Sequence, residues 1–103
     1  MSDPRPVEIT ALAARHIRVA EEWWRRHRPA APNAVRQELE RAFTLIASQP
    51  GIGSRATNVK LPGVRRIYLP VIKQFLYFHV VALPNRVEVV ALWHARRETG
   101  PPI

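Results

Sequence analysis

The sequence predicts an α+β domain. A short N-terminal strand leads into an antiparallel helical hairpin, which packs on one face of an antiparallel sheet completed by a three-stranded meander. Three observations carry this. Two stretches with apolar residues at helical spacing fill the first half of the chain, three runs rich in β-branched and aromatic residues fill the second, and the links within each half are short. A chain of 103 residues fits one domain. Its core is expected over about residues 7–97, with frayed termini.

Val7-Glu8-Ile9 alternates apolar and polar side chains, the pattern of a short strand. Thr10 follows as a helix N-cap, because its hydroxyl can accept a free amide hydrogen bond of the first turn. Ala13, Ile17, Ala20 and Trp24 then recur at helical spacing, and Leu12 and Trp23 widen the stripe. Arg18 with Glu22, Glu21 with Arg25 and Glu22 with Arg26 form i,i+4 pairs suited to a solvated face. Pro29 disfavours helix at the residue before it, so this helix ends near Arg28. Pro29-Ala30-Ala31-Pro32-Asn33 is a tight connector, and Pro32 is suited to the first turn of a second helix. Val35, Leu39, Ala42, Phe43 and Ile46 mark that helix's buried face before Pro50-Gly51 stops it. A short link between amphipathic helices implies an antiparallel hairpin.

Residues 51–63 read as a loop ending in a Pro62-Gly63 turn. Strands are expected over residues 64–69, 75–83 and 87–93, with a turn at Pro84-Asn85 in which Asn85 can take the left-handed conformation. Short connections imply antiparallel pairing. The middle run, Phe75-Leu76-Tyr77-Phe78-His79-Val80-Val81, is nearly all apolar and is expected to be a central strand covered on both faces. The last residues, Gly100-Pro101-Pro102-Ile103, are expected to fray.

Composition narrows the chemistry. There is no cysteine, which excludes disulfides and thiolate metal sites. No apolar run approaches the roughly 20 residues of a membrane span, and Met1-Ser2-Asp3-Pro4-Arg5-Pro6 has no apolar signal core. A cytoplasmic protein with no membrane contact is expected. The formal charge is +8, which favours an anionic partner. The excess belongs to the sheet half: from Arg55 to Arg97, the bases Arg55, Lys60, Arg65, Arg66, Lys73, Arg86, Arg96 and Arg97 stand against the single acid Glu88. Arginines held on rigid strands make a better carboxylate or polyanion site than arginines on a mobile tail. For Arg65 and Arg66 the competing reading is a solvated sheet face. For His94, Arg96 and Arg97 the function reading is favoured, because concentrated like charge at a strand end brings no folding benefit.

The histidines show no ligand spacing, so no metal site and no cofactor are expected. His79, among apolar neighbours, reads as a hydrogen-bonded packing residue. His16 and His27 lie on the first helix with no base or metal to pair them. Trp23 and Trp24 are adjacent and project in different directions; one is expected in the core and the other facing solvent or a partner. There is no phosphate-binding loop, dinucleotide fingerprint or nucleophile elbow. Ser2, Ser48 and Ser54 are the only serines and none sits in a catalytic context.

Pro62-Gly63-Val64-Arg65-Arg66-Ile67, the strand Phe75-Leu76-Tyr77-Phe78-His79-Val80, and Val87-Glu88-Val89-Val90-Ala91-Leu92-Trp93-His94-Ala95-Arg96-Arg97 resemble the ParE toxins of the ParE/RelE superfamily. So does Gln49-Pro50-Gly51-Ile52-Gly53 after the second helix. The likeness runs from about Val7 to Arg97, and Leu92-Trp93-His94-Ala95-Arg96-Arg97 is its most specific piece. It implies a type II toxin of the plasmid-stabilisation kind. Such a toxin binds and inhibits DNA gyrase, is neutralised by a cognate antitoxin in a hetero-oligomer, and has no catalytic residues. Arg65, Arg66, His94, Arg96 and Arg97 are then the target-binding candidates.

The alternative within the superfamily is a RelE-like endoribonuclease that cleaves messenger RNA on the ribosome, with His94, Arg96, Arg65 and Arg66 as the catalytic set. RelE-like enzymes usually carry an arginine within the third strand and a late tyrosine or histidine. Here that strand has Gln74-Phe75-Leu76, no tyrosine follows Tyr77, and only His94 and Arg96 match. The ParE reading is therefore preferred. A general nucleic-acid-binding module is weaker still, since most aromatics read as buried.

Overall fold

Thr10 opens the first helix as its chemistry dictates: extended backbone, with Oγ1 accepting the Ala13 amide at 3.2 Å. In the computed structural model, which describes residues 3–103, β1 (Val7–Ile9) runs into α1 (Ala11–His27), and α2 (Ala34–Ser48) completes the hairpin. A two-residue strand β2 (Ser54–Arg55) follows, then β3 (Arg65–Leu69), β4 (Gln74–Val81) and β5 (Arg86–His94). The fold is α+β with both helices against one sheet face, as the patterning predicts. Met1 and Ser2, part of the N-terminus expected to fray, lie outside the described residues.

The strand order is β1-β5-β4-β3-β2. β2 through β5 pair antiparallel, but β1 lies parallel to β5, Val7 opposite Val87 and Ile9 opposite Val89. The sheet is therefore mixed. Link length predicts antiparallel pairing only for strands joined directly, and β1 pairs with the strand most distant from it in sequence. The loop expected over residues 51–63 contains β2, held antiparallel to the start of β3. Gly53 makes that approach possible: its φ is +79°, and a Cβ there would lie 2.3 Å from the Arg66 carbonyl oxygen.

Two layers of core sandwich the sheet. On the helical side Ala13 and Ala20 of α1 and Val35, Leu39, Ala42 and Ile46 of α2 bury against Leu76, Phe78, Val87, Val89 and Leu92. On the other side Tyr77, Val90 and Ala91 are covered by Ala56, Val64 and Ile103. A bulge makes this possible: Tyr77 faces Ala91 while Phe78 faces Val89, leaving Val90 as the extra residue. The middle strand is covered on both faces as its composition predicts.

Three local expectations are corrected. Pro32 is not in the helix; α2 starts at Ala34, and its N-cap Asn33 makes no side-chain cap bond. Among the described residues the positive-φ non-glycine is Lys73, not Asn85; the β4–β5 turn contains a cis Leu83–Pro84 peptide, and Asn85 Oδ1 accepts from Arg5 Nε at 2.8 Å. The C-terminal tail does not fray. The Ile103 carbonyl accepts the Lys60 amide at 2.9 Å, Pro101 is buried, and Gly100 sits where a Cβ would meet the Asn58 carbonyl oxygen at 1.9 Å. The tail is the lid of the second core, and burial outweighs the freedom of a chain end.

Candidate functional site

Among the described residues no strand lies beside the β5 edge beyond Val89, because β1 stops at Ile9. An exposed edge amide needs a partner. α1 supplies one: the Leu92 amide donates to His16 Nδ1 at 3.2 Å. That bond requires Nδ1 unprotonated. The His16 pKa is lowered from its ordinary value, first by burial and then by the positive charge of Arg97 and Arg15. His16 is thus a neutral edge cap, tilted against the Trp93 ring at 5.3 Å between centroids.

This contact forms one wall of a groove of about 830 Å³. From α1 come Val19, Ala20, Trp23 and Trp24, with Arg28 just past its end. The β3–β4 turn contributes Val71, Ile72 and Lys73. The end of β5 and the residues after it contribute Leu92, Trp93, His94, Arg96 and Arg97, and Pro102 of the tail closes the rim. All three tryptophans of the chain line this one groove. Trp24 packs on the core, and Trp23 stays 47% exposed with its ring stacked on His27. The division expected for the pair is the one observed.

The rim is positive. Arg28, Lys73, Arg96 and Arg97 line the groove together with His16 and His94, and none of its lining residues is acidic. The residues after β5 are ordered by local bonds. The Arg96 amide donates to His94 Nδ1 at 3.1 Å, the Ala95 amide donates to the Lys73 carbonyl at 3.1 Å, and the Arg97 guanidinium lies 3.9 Å over the Trp93 ring. Trp93 Nε1 donates to the Thr99 carbonyl at 2.7 Å. His94 with a bonded Nδ1 presents Nε2 as its free nitrogen.

Of the five residues singled out by charge, the structure brings together His94, Arg96 and Arg97. Arg65 and Arg66 do not line this groove. The Arg65 guanidinium donates to the Ile52 and Gly53 carbonyls at 3.1 and 2.8 Å, holding the segment before β2. Arg66 lies 4.0 Å over the Phe75 ring and reaches the Tyr77 hydroxyl at 3.4 Å. Arg66 is opposite Tyr77 whereas His94 is opposite Gln74, three residues along β4 and so roughly 10 Å away. His79 donates from Nε2 to Glu88 at 2.9 Å, the bonded packing role its neighbours suggest. Among the described residues no three His, Asp or Glu side chains are placed to hold a metal ion.

Sequence reading missed His16, Arg28, Lys73 and the tryptophans as parts of one site. His16, Ala20, Trp23 and Trp24 do follow a helical stripe, and a polar ring on that stripe is the signal. What sequence alone lacks is the partner, since His16 and Leu92 are separated by 76 residues.

A family model described as "ParE toxin of type II toxin-antitoxin system, parDE" matches residues 7–99. A solved chain described as "Chromosomal ParDE TA system from P. aeruginosa" superposes with a TM-score of 0.73 at 18% identity, over 92% of this chain and 100% of that one. At that identity the likeness speaks for the fold. No curated protein sequence matches the chain.

Proposed function

The chain belongs to the ParE toxin family of type II toxin–antitoxin systems, and from that premise we propose that it arrests growth by binding DNA gyrase through His94, Arg96 and Arg97 at the mouth of the tryptophan-lined groove. A cognate antitoxin holds it inactive in a cytoplasmic hetero-oligomer. The carrying observation is the convergence of three tryptophans with four cations and no acid in one groove. That is the make-up of a binding hot spot, in which aromatic and arginine anchors dominate the energy.

A messenger ribonuclease on this fold is supported less. It needs a proton-transferring group and cations within hydrogen-bond reach of one scissile phosphate. Arg65 is committed to two backbone carbonyls and Arg66 to an aromatic ring, away from His94. Arg65 and Arg66 therefore remain candidates only for contacts outside the groove.

Two purified assays test the reading. The protein should inhibit gyrase supercoiling and leave translation-dependent messenger cleavage at background; the reverse result sinks it. Replacing Arg96 and Arg97 together by Ala should leave circular dichroism unchanged, weaken growth arrest, and weaken gyrase binding further as salt rises, because screening acts on exposed charge. His94→Ala should cost less than about tenfold, a contact of about a kcal/mol. Losing a general acid or base would cost roughly a hundredfold or more.

A further inference from the structure

The face of the sheet turned away from the helices carries a row of rings. Tyr68 of β3 pairs with Phe75 of β4, and Phe75 pairs with Trp93 of β5, so the three side chains stand in register across three strands. The Tyr68 and Phe75 rings meet at 5.3 Å between centroids. Two arginines lie on the row: the Arg66 guanidinium is 4.0 Å over Phe75 and the Arg97 guanidinium 3.9 Å over Trp93. Cross-strand aromatic pairs also serve to stabilise a sheet, and Tyr77 does so within the second core. Tyr68 stands outside that core, 47% exposed, and Phe75 and Trp93 are only half-buried. Aromatics expected to be buried thus stay open on this face. A second observation concerns Arg66. Its Nε is buried with no hydrogen-bond partner, and its Nη1 bond to the Tyr77 hydroxyl is long at 3.4 Å. A guanidinium short of acceptors is costly, and an anion at its terminal nitrogens offsets that cost.

We infer that this row is a stacking platform for a short single strand of DNA, with bases laid on the Tyr68 ring and on the guanidinium planes of Arg66 and Arg97, and two phosphates held by the same arginines. Bases stack on aromatic rings and on arginine planes alike, and a sheet face offers several such surfaces side by side. Neighbouring strands lie about 4.8 Å apart, so Tyr68 to Trp93 spans roughly 10 Å, room for two or three nucleotides. Charge agrees with a polyanion. From Arg55 onward the acids are Glu88 and Glu98. Glu88 is engaged by His79 at 2.9 Å, with Arg86 at 3.9 Å, and Glu98 is exposed just past Arg97. A duplex suits the row less well, because its bases are stacked on one another and closed to the rings. The inference goes beyond the gyrase reading and rests on it in one respect: DNA rather than RNA is named because the proposed target works on DNA.

The experiment is fluorescence anisotropy of an end-labelled short oligo-dT titrated with the full chain at several salt concentrations. The single strand should bind about tenfold more tightly than a hairpin duplex of equal charge. The slope of log K against log salt should be about −1.4, the value for two phosphates neutralised on a single strand. Tyr68→Leu, which keeps an apolar side chain but loses the ring, should bind about tenfold more weakly with circular dichroism unchanged. Tyr68→Phe, which keeps the ring, should bind like the wild type. Arg66→Gln should bring the slope to about −0.7, one phosphate fewer. Duplex bound as tightly as single strand, undiminished binding by Tyr68→Leu, a Tyr68→Phe as weak as Tyr68→Leu, or a slope unmoved in Arg66→Gln would overturn the proposal. So would an oligo-rU of the same length bound about tenfold more tightly than the oligo-dT. Inhibition of gyrase supercoiling by the wild-type chain is scored in parallel. Inhibition without oligo-dT binding sinks the platform and leaves the gyrase reading; oligo-dT binding without inhibition keeps the platform and sinks the gyrase reading.

Discussion

His16 can accept the Leu92 amide only while its ring is neutral, and this makes one bond of the fold sensitive to pH. Its pKa is lowered in the folded chain, mainly by burial and then by Arg97 and Arg15. In the unfolded chain it returns to about 6.5. Between the two values the unfolded state binds the proton and the folded state does not, so stability falls as pH falls from above 6.5 toward the folded pKa. The melting temperature of the wild type is expected to drop more between pH 8 and pH 5.5 than that of His16→Asn, whose amide oxygen accepts without titrating. Parallel pH curves for the two proteins would remove the role assigned to His16. Residues acting through local rules were legible in the sequence: Thr10 caps α1, and His79 finds an acid across the strand pair. His16 and Lys73 were not. One acts on a residue at the far end of the chain, and the other owes its interest to a backbone angle that no pattern of side chains announces.

At the level of elements, the pieces with a periodic signal came through and those held by tertiary contact did not. α1, α2, β3, β4 and β5 each follow from spacing or composition. β2 has only two residues and exists because Arg65 and the tight approach at Gly53 hold it beside β3. The parallel β1–β5 pairing lies outside what local links can tell. The tail is the clearest case: Gly and Pro read as disorder, yet the same residues let the chain lie close on Asn58. Gly100→Ala is expected to lift the tail, because the added methyl would have to occupy the space of the Asn58 carbonyl oxygen. Hydrogen exchange at the Lys60 and Leu61 amides, which both point at the Ile103 carbonyl, should then speed up at least tenfold while exchange in α2 stays unchanged. Unchanged protection at those two amides would show that the docked tail contributes nothing to the loop.

At the scale of the whole molecule, charge counting found the His94, Arg96 and Arg97 end of the groove and could not find the groove, whose other wall is α1. The cluster is local in sequence; the cavity is not. The same is true of the sheet, where the first strand completes the fold only by lying against the last. Long-range pairing of this kind delays folding until both partners are present. In a protein made from its N-terminus on a ribosome, these two strands emerge far apart in time. While β5 is still inside the exit tunnel, β1 has no partner, β4 lacks one neighbour, and the wall that carries Trp93 through Arg97 has not emerged. Nascent chains stalled at that stage are expected to be cut by protease as readily as an unfolded chain, with protection appearing only after residue 97 has cleared; protection at an earlier stall would refute this. The groove therefore does not exist in any shorter N-terminal stretch: Trp23 and Trp24 meet Trp93 and the cations after it only once β5 has paired with β4 and come up against α1.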